Sequence, residues 1–175
     1  MLKLNPPINE NKSFNNFSMK EKAPISKINL RGDINNKDFV SRVGKILDLI
    51  LPSEVGSIVV KKDISVVTTT PNEWLLISNN TTKSNNENLK ETLFDNISIS
   101  NLGAITDVTD QFTIFSLSGP NTIEVLSKSS PFNFDTLSNN CSAQTLLNNI
   151  DVIIIKKDNE NIDLLTRRSF SQHLW

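Results

Sequence analysis

Hydrophobic and polar positions along this 175-residue chain follow two periods, one typical of β-strands and one typical of α-helices. Over residues 25–30 apolar and polar side chains alternate, which predicts a strand with one buried face. Apolar residues then recur at helical spacing over 37–51, with Asn35 or Asn36 as the N-cap. Pro52 follows, and a proline at this place ends a helix.

Three further strands and a second helix complete the first half of the chain. The sequence VVTTT-PN-EWLLIS indicates two strands joined by a tight turn at its proline and asparagine. Ser84 and Glu87 form an S-x-x-E capping box, which predicts the start of the helix. The strands are predicted at 57–61, 64–70 and 74–78.

The second half repeats this order of elements. A strand over 112–117 runs into the sequence SGP at 118–120, where proline suits the first turn of a short helix. A second capping box, formed by Ser169 and Gln172, predicts a closing helix. The remaining strands are predicted at 143–147, 150–156 and 161–166.

The two halves predict an internally duplicated α+β fold. Each contains a strand–helix–strand–strand–helix unit that is too small to bury a sheet face alone, so the units pair, with helices packed on antiparallel sheets. The pseudo-repeats cover about 25–96 and 112–175 of a single domain over 25–175, and a strand is expected in the connecting segment 97–108. Residues 1–24 hold three prolines among polar residues and predict an extended or mobile arm.

Composition and charge restrict what the chain can bind. Eighteen basic and nineteen acidic residues give a formal net charge of −1, which argues against nucleic acid as a partner because phosphate binding needs a basic excess. No apolar run approaches the roughly 18 residues that span a bilayer, and the first residues lack the apolar centre of a secretion signal. We therefore expect no membrane association and a cytoplasmic location.

The rare residues argue against chemistry within the chain. A single cysteine, Cys141, and a single histidine, His173, exclude an internal disulfide and metal sites built from several cysteines or imidazoles. The five glycines form neither phosphate-binding pattern, GxGxxG or GxxxxGK. Asp107 and Asp110 are compatible with an acid–base pair, but their place between two strands favours turn residues that accept backbone N–H bonds. We expect no catalytic, cofactor-binding or metal-binding residues.

Three sequence stretches go beyond periodicity. They are INLRGD at 28–33, PNEWLL at 71–76, and a C-terminal series. That series comprises DVTDQFTIFSLSGPNTIEVLSKSSPFNF, CSAQTLL and RRSFSQHLW. In this order and spacing they resemble the gamma subunits of heterotetrameric sarcosine oxidases, over nearly all of 25–175.

The resemblance implies a fold related to the folate-binding domain of the glycine-cleavage aminomethyltransferase, the T-protein. It also implies a complex that demethylates sarcosine to glycine, produces hydrogen peroxide and transfers a one-carbon unit to tetrahydrofolate. In that family FAD, FMN, NAD and the folate site belong to the alpha and beta subunits and zinc to the delta subunit. The gamma chain would then be a non-catalytic subunit that supports assembly with alpha, beta and delta, chiefly with the large alpha subunit.

Four residues near the C-terminus are candidates for the subunit interface: Arg167, Arg168, Phe170 and Trp175. Guanidinium groups and large aromatic rings are typical anchors at interfaces. The alternatives are solvated or locally paired arginines, and aromatic rings that pack in the core of the chain itself. An interface of this kind would leave an apolar patch on the isolated chain, which is therefore expected to be soluble only marginally or as a homo-oligomer when alone.

Two other functions stay open at this stage. The first is a free-standing folate-binding or one-carbon-transfer domain of the T-protein type, and the second is a regulatory ferredoxin-like module with a small effector. The same architecture can host unrelated functions, so each must be argued from its own site.

Overall fold

The computed structural model describes residues 5–79 and 83–175, without the side chains of Lys83 and Ser84. The predicted capping box of Ser84 and Glu87 therefore involves a side chain outside the described part. The chain divides into two compact units.

We call these the contiguous unit, Ile25–Thr109, and the discontinuous unit, which combines Met1–Pro24 with Asp110–Trp175. Within the described residues, eleven strands and four α-helices follow one another, with three short turns of other helix types between them. In chain order these elements are β1 (Asn11–Phe14), β2 (Phe17–Glu21), β3 (Lys27–Gly32), α1 (Lys37–Leu47), β4 (Ile58–Lys61), β5 (Ile64–Thr70), β6 (Glu73–Ser78), α2 (Lys83–Leu93), a π-helical turn (Phe94–Ser98), β7 (Gly103–Asp107), β8 (Phe112–Ser118), α3 (Thr122–Ser127), a 3-10 turn (Phe134–Thr136), β9 (Cys141–Leu147), β10 (Ile150–Lys156), β11 (Asn161–Arg167), a second 3-10 turn (Arg168–Phe170) and α4 (Ser171–Leu174).

The contiguous unit contains an antiparallel sheet with the strand order β4-β5-β6-β3-β7. Apart from the edge strand β4, its order of elements is strand–helix–strand–strand–helix–strand, which is the ferredoxin-like arrangement. Asn36 caps α1, because its side-chain oxygen accepts the N–H groups of Asp38 and Phe39 at 3.0 and 3.2 Å.

Trp74 and Phe39 lie at the centre of the contiguous unit's core, both fully buried, with ring centroids 5.7 Å apart. The Trp74 indole N–H donates a 2.7 Å hydrogen bond to the carbonyl of Pro52, which satisfies its one polar atom. Gly32 lies so close to the Phe39 ring that a Cβ at this position would overlap the ring. The glycine thus allows the aromatic pair to pack against the sheet.

The discontinuous unit contains a six-stranded antiparallel sheet with the order β1-β2-β8-β11-β10-β9. It repeats the arrangement of the contiguous unit: β8, α3, β9, β10, β11 and α4 correspond to β3, α1, β4, β5, β6 and α2. In the contiguous unit the place beside β3 is taken by β7, the strand that follows α2. The N-terminal strand β2 takes that place beside β8 instead.

For residues 11–21 this pairing corrects the predicted extended or mobile arm over 1–24, of which residues 1–4 lie outside the described part. Residues 11–21 form a hairpin because the apolar side chains of Phe17 and Met19 pack against the discontinuous unit's core, while Glu21 is buried. Glu21 in turn accepts the N–H groups of Ile8 and Asn9 at 3.0 and 2.8 Å. The segment from β1 to β2 is thus part of a sheet.

The core of the discontinuous unit lies between one face of its sheet and the helical segments. Lys156 is buried in it, and its ammonium group donates to the carbonyls of Phe134 and Leu137 at 3.1 and 2.8 Å. A buried charge of this kind needs hydrogen-bond acceptors, and these two carbonyls supply them. The buried apolar members are Phe115, Leu117, Leu126, Phe134, Leu147, Ile150, Val152, Ile154, Ile162 and Leu164.

The α+β prediction with duplicated units is confirmed, and three local predictions need correction. Helix α1 ends at Leu47 and not at residue 51, because Asp48 adopts a left-handed conformation and its N–H bonds to Gly44. Ser169 does not cap the last helix: β11 runs on to Arg167, so Ser169 falls inside a 3-10 turn, and neither that turn nor α4 has a side-chain cap. Within 97–108, only Gly103–Asp107 forms a strand.

Candidate subunit interface

A groove of the discontinuous unit lies on the sheet face opposite its core, with a volume of about 540 Å³. Strands β8 to β11 expose alternate side chains here, because successive residues of a strand point to opposite faces. Ile162 and Leu164 face the core, so Leu165 and Arg167 face the groove. The lining residues are Phe112, Gln144, Thr145, Leu146, Asp151, Val152, Ile153, Leu165 and Arg167.

The groove combines an apolar floor with a charged end. Leu165 is fully buried, Phe112 and Ile153 are half-buried, and Leu146 keeps 39% of its surface exposed. Val152 and Thr166 are paired in the antiparallel ladder, and Asp151 precedes the former while Arg167 follows the latter, which makes Asp151 and Arg167 neighbours across β10 and β11. Their side chains form no salt bridge with each other or with any other described residue. Both charges are therefore available to another molecule.

Sequence reasoning missed the apolar floor, although a signal for it was present. The strand sequences IDVIIIK and NIDLLTR carry apolar residues on both faces, and this pattern is typical of strands that are covered on both sides. Only one of those faces meets the core of the discontinuous unit. The groove residues Ile153 and Leu165 belong to the other face.

The four residues predicted for the interface occupy different environments. Arg167 is exposed and lines the groove. Arg168 is used locally: its guanidinium donates to the carbonyl of Asn5 at 2.6 Å and its backbone N–H to the carbonyl of Gln111 at 2.8 Å. Phe170 keeps 46% of its surface exposed, as an interface anchor would.

Trp175 packs inside the discontinuous unit, which is the alternative that the sequence left open. Its ring lies 5.4 Å from the ring of Phe115, and Lys12 places its ammonium group 5.0 Å from the indole centroid. The same ammonium donates to the Trp175 carbonyl at 3.1 Å. The indole N–H of Trp175 is buried and has no hydrogen-bond partner among the described residues, and the same holds for the hydroxyls of Thr166 and Ser171.

Asp163 is the centre of a polar cluster on the same sheet face as Arg167. Its carboxylate forms salt bridges with Lys22 at 2.7 Å and Lys157 at 2.9 Å, and it accepts the Ser116 hydroxyl at 2.7 Å. Burial raises the pKa of Asp163, but the hydrogen bonds from the two lysines and the serine lower it by more, so the pKa lies below its ordinary value. The cluster joins the end of β2 to β8 and β11.

The other polar residues considered from the sequence have structural surroundings. Asp107 accepts the backbone N–H of Thr109 at 3.0 Å, as expected for a turn residue. His173 is exposed, and Cys141 is a half-buried free thiol. Among the described residues no three His, Cys, Asp or Glu side chains are grouped as a metal site would need. No described helix is both long and apolar enough to cross a membrane.

Solved structures with a similar fold include the heterotetrameric sarcosine oxidase of Corynebacterium sp. U-96 in complex with pyrrole 2-carboxylate. The TM-score is 0.80 at 23% identity, over 90% of this chain and 79% of that one. The ligand-free regulatory subunit of aspartate kinase from Thermus thermophilus matches with a TM-score of 0.47 at 10% identity, over 89% and 91% of the two chains. At that score the likeness has no bearing on function.

A comparison with proteins of curated function finds no significant match. A family model, by contrast, matches residues 31–175, which is most of the chain and includes the second pseudo-repeat, the first one from residue 31 onward, and the groove. The resemblance noted in the sequence is thereby confirmed. The chain belongs to the sarcosine oxidase, gamma subunit family.

Proposed function

We propose that the chain is a non-catalytic subunit of a heterotetrameric sarcosine oxidase and that it supports the assembly of that complex. The observation that carries the proposal is the family match over residues 31–175. The fold of a sarcosine oxidase chain, matched at a TM-score of 0.80, supports it further. The proposal assigns FAD, FMN, NAD, tetrahydrofolate and zinc to the alpha, beta and delta subunits.

The groove on the discontinuous unit supplies the surface that such a role requires. Its apolar floor gains free energy when it is covered, at about 25 cal/mol for each Å² of apolar surface removed from water. The unpaired Arg167 can form two parallel hydrogen bonds with a carboxylate of the partner, which fixes register as well as adding affinity. We assign the groove to the contact with the large alpha subunit.

By supporting assembly, the chain would also contribute to the turnover of the complex. If this chain binds only the folded state of the alpha subunit, it stabilises that state by mass action. The stabilising free energy grows with the logarithm of the concentration of this chain divided by Kd. Permanent interfaces of this kind bury more than about 2,000 Å² in total, so the groove would be one part of a larger contact.

The test is co-expression of this chain with the alpha, beta and delta subunits encoded in the same genome. Purification through a tag on alpha should recover this chain in equimolar amount, and mass spectrometry identifies it. The purified chain alone should be colourless and inactive on sarcosine. Recovery of the other three subunits without this chain would refute the proposal, and so would flavin absorbance retained by the lone chain. Titration with tetrahydrofolate addresses the T-protein alternative, which requires binding by this chain alone.

A further inference from the structure

A second cleft lies on the contiguous unit, where the end of α2, the π-helical turn and β7 meet. Its volume is about 410 Å³. Six side chains line it: Lys90, Glu91, Phe94, Asp95, Ile105 and Asp107. We call it the acidic-aromatic cleft, since three carboxylates and one ammonium group surround an aromatic ring.

The π-helical turn presents Phe94 to solvent in a fixed position. Leu93 and Ile97 on either side of it are fully buried and anchor the turn in the core. The N–H of Ile99 bonds to the carbonyl of Phe94 at 3.1 Å, which is the wider spacing of a π-helix. Phe94 itself keeps 48% of its surface exposed.

Side-chain hydrogen bonds hold the same turn from two directions. The guanidinium of Arg42 on α1 donates to the carbonyl of Asn96 at 3.2 Å and to the hydroxyl of Ser100 at 3.0 Å. The hydroxyl of Ser98 accepts the backbone N–H of Ile105 on β7 at 3.1 Å. A turn whose backbone is already held loses little conformational entropy when a partner covers it, and this favours the use of Phe94 as an anchor.

Some charged groups of the cleft form salt bridges with described residues and others do not. Lys90 forms a 3.1 Å salt bridge with Asp107, which also accepts the N–H of Thr109. Glu91 and Asp95 form no salt bridge with any described residue. One cation against three carboxylates gives the cleft an excess of negative charge around an apolar surface.

We propose that the acidic-aromatic cleft docks a segment of a partner subunit that carries an arginine or lysine beside an apolar side chain. The cation would pair with Glu91 or Asp95 and lie on the Phe94 ring, where attraction to the π-system adds to the ion pair. The apolar neighbour would cover Ile105. This inference rests on the proposed function, because the partner is a subunit of the same complex.

The test uses the four-chain complex with variants of this chain, purified through tagged alpha subunit. Phe94→Ala and the double variant Glu91→Gln/Asp95→Asn remove the ring and the two unpaired charges. We expect each to weaken retention of this chain by about tenfold or more in apparent Kd. Retention of the wild-type chain should fall as the salt concentration rises from about 0.1 to 0.5 M, because salt screens its ion pairs. Retention of the charge variant should fall less, because it lacks the screened charges.

Matched controls come from the discontinuous unit. Phe14→Ala removes a ring that is 64% exposed, and Glu10→Gln removes an exposed carboxylate without a salt bridge among the described residues. Circular dichroism and Tm confirm that every variant is folded. Wild-type retention by the Phe94 and charge variants overturns the inference alone. Failure of the wild-type chain to bind at all overturns the proposed function as well. Self-association that depends on Phe94, with unchanged binding to alpha, shows a second copy as the occupant and overturns the inference.

Discussion

Lys22 and Asp163 form a salt bridge of 2.7 Å between the end of an N-terminal strand and a strand that lies 141 residues further along the chain. The carboxylate has little solvent exposure, while the ammonium group is about one-third exposed. The pair fastens β2 to the sheet of the discontinuous unit, where β2 lies beside β8. Strand β2 is in this way a structural part of the discontinuous unit.

Replacing Asp163 should destabilise the protein in a pH-dependent manner. A carboxyl group whose pKa is lower in the folded chain stabilises the fold above its unfolded pKa of about 4, and the contribution disappears as pH falls through the folded value. Asp163→Asn should therefore lower the free energy of unfolding by about 2 kcal/mol at neutral pH. Urea titrations at several pH values should show the wild type and the variant converging below about pH 4.

The control for this experiment is Glu124→Gln on α3. Glu124 pairs with Lys128 at 2.8 Å on the surface, and the exposed pair is screened by water and salt. Its replacement should leave the unfolding curve nearly unchanged at all pH values. Equal effects of the Asp163 and Glu124 variants would contradict the role given to the buried cluster.

The N-terminal strand β2 should be necessary for the discontinuous unit and dispensable for the contiguous one. Met19 packs against the core, whereas the neighbouring Lys20 is exposed on the same strand. Met19→Ser should cost about 2–3 kcal/mol through lost apolar burial, and Lys20→Ser should cost little. Hydrogen exchange measures this: in the Met19 variant the amides of β8 and β11 should exchange faster, while those of β3 and β6 should not. If the amides of both units exchanged faster to the same degree, the prediction that only the discontinuous unit needs β2 would be contradicted.

Sequence patterns predicted most strands of both units to within two residues, because each has its own alternation and its own turn signals. The hairpin β1–β2 was missed although Phe17, Met19 and Glu21 also alternate. A short polar strand becomes stable only through its partner, and β2 pairs with β8 about one hundred residues away. Local periodicity does not report such a pairing.

Of the two candidate surfaces, one was predicted in part from the sequence and the other was not. Arg167 was predicted as a candidate from residue type, since guanidinium groups suit carboxylates at interfaces. The acidic-aromatic cleft was not predicted, because Glu91 and Asp107 come from a helix and a strand that a π-helical turn brings together. A π-helical turn contains one residue more than the pattern of an α-helix allows, and its position depends on tertiary packing.

Gly32 should be intolerant of any side chain because of its contact with Phe39. Gly32→Ala places a methyl group where the Phe39 ring lies, so the ring or the strand must move. We expect a loss of about 1–3 kcal/mol, measured by thermal or urea unfolding. The double variant Gly32→Ala/Phe39→Leu should recover part of this loss, since leucine vacates the space. Absence of recovery would show that the cost comes from the backbone and not from the ring.

Arg167 should contribute to binding through both its charge and its planar shape. Arg167→Ala removes the one cation that lines the groove, and we expect an increase of about tenfold or more in the Kd for the alpha subunit. Arg167→Lys should recover only part of the affinity, because an ammonium group cannot form two parallel hydrogen bonds with one carboxylate. Lys45→Ala, which removes an exposed cation of α1, is the matched control and should bind like the wild type. If Arg167→Ala also binds like the wild type, the alpha subunit does not contact the charged end of the groove.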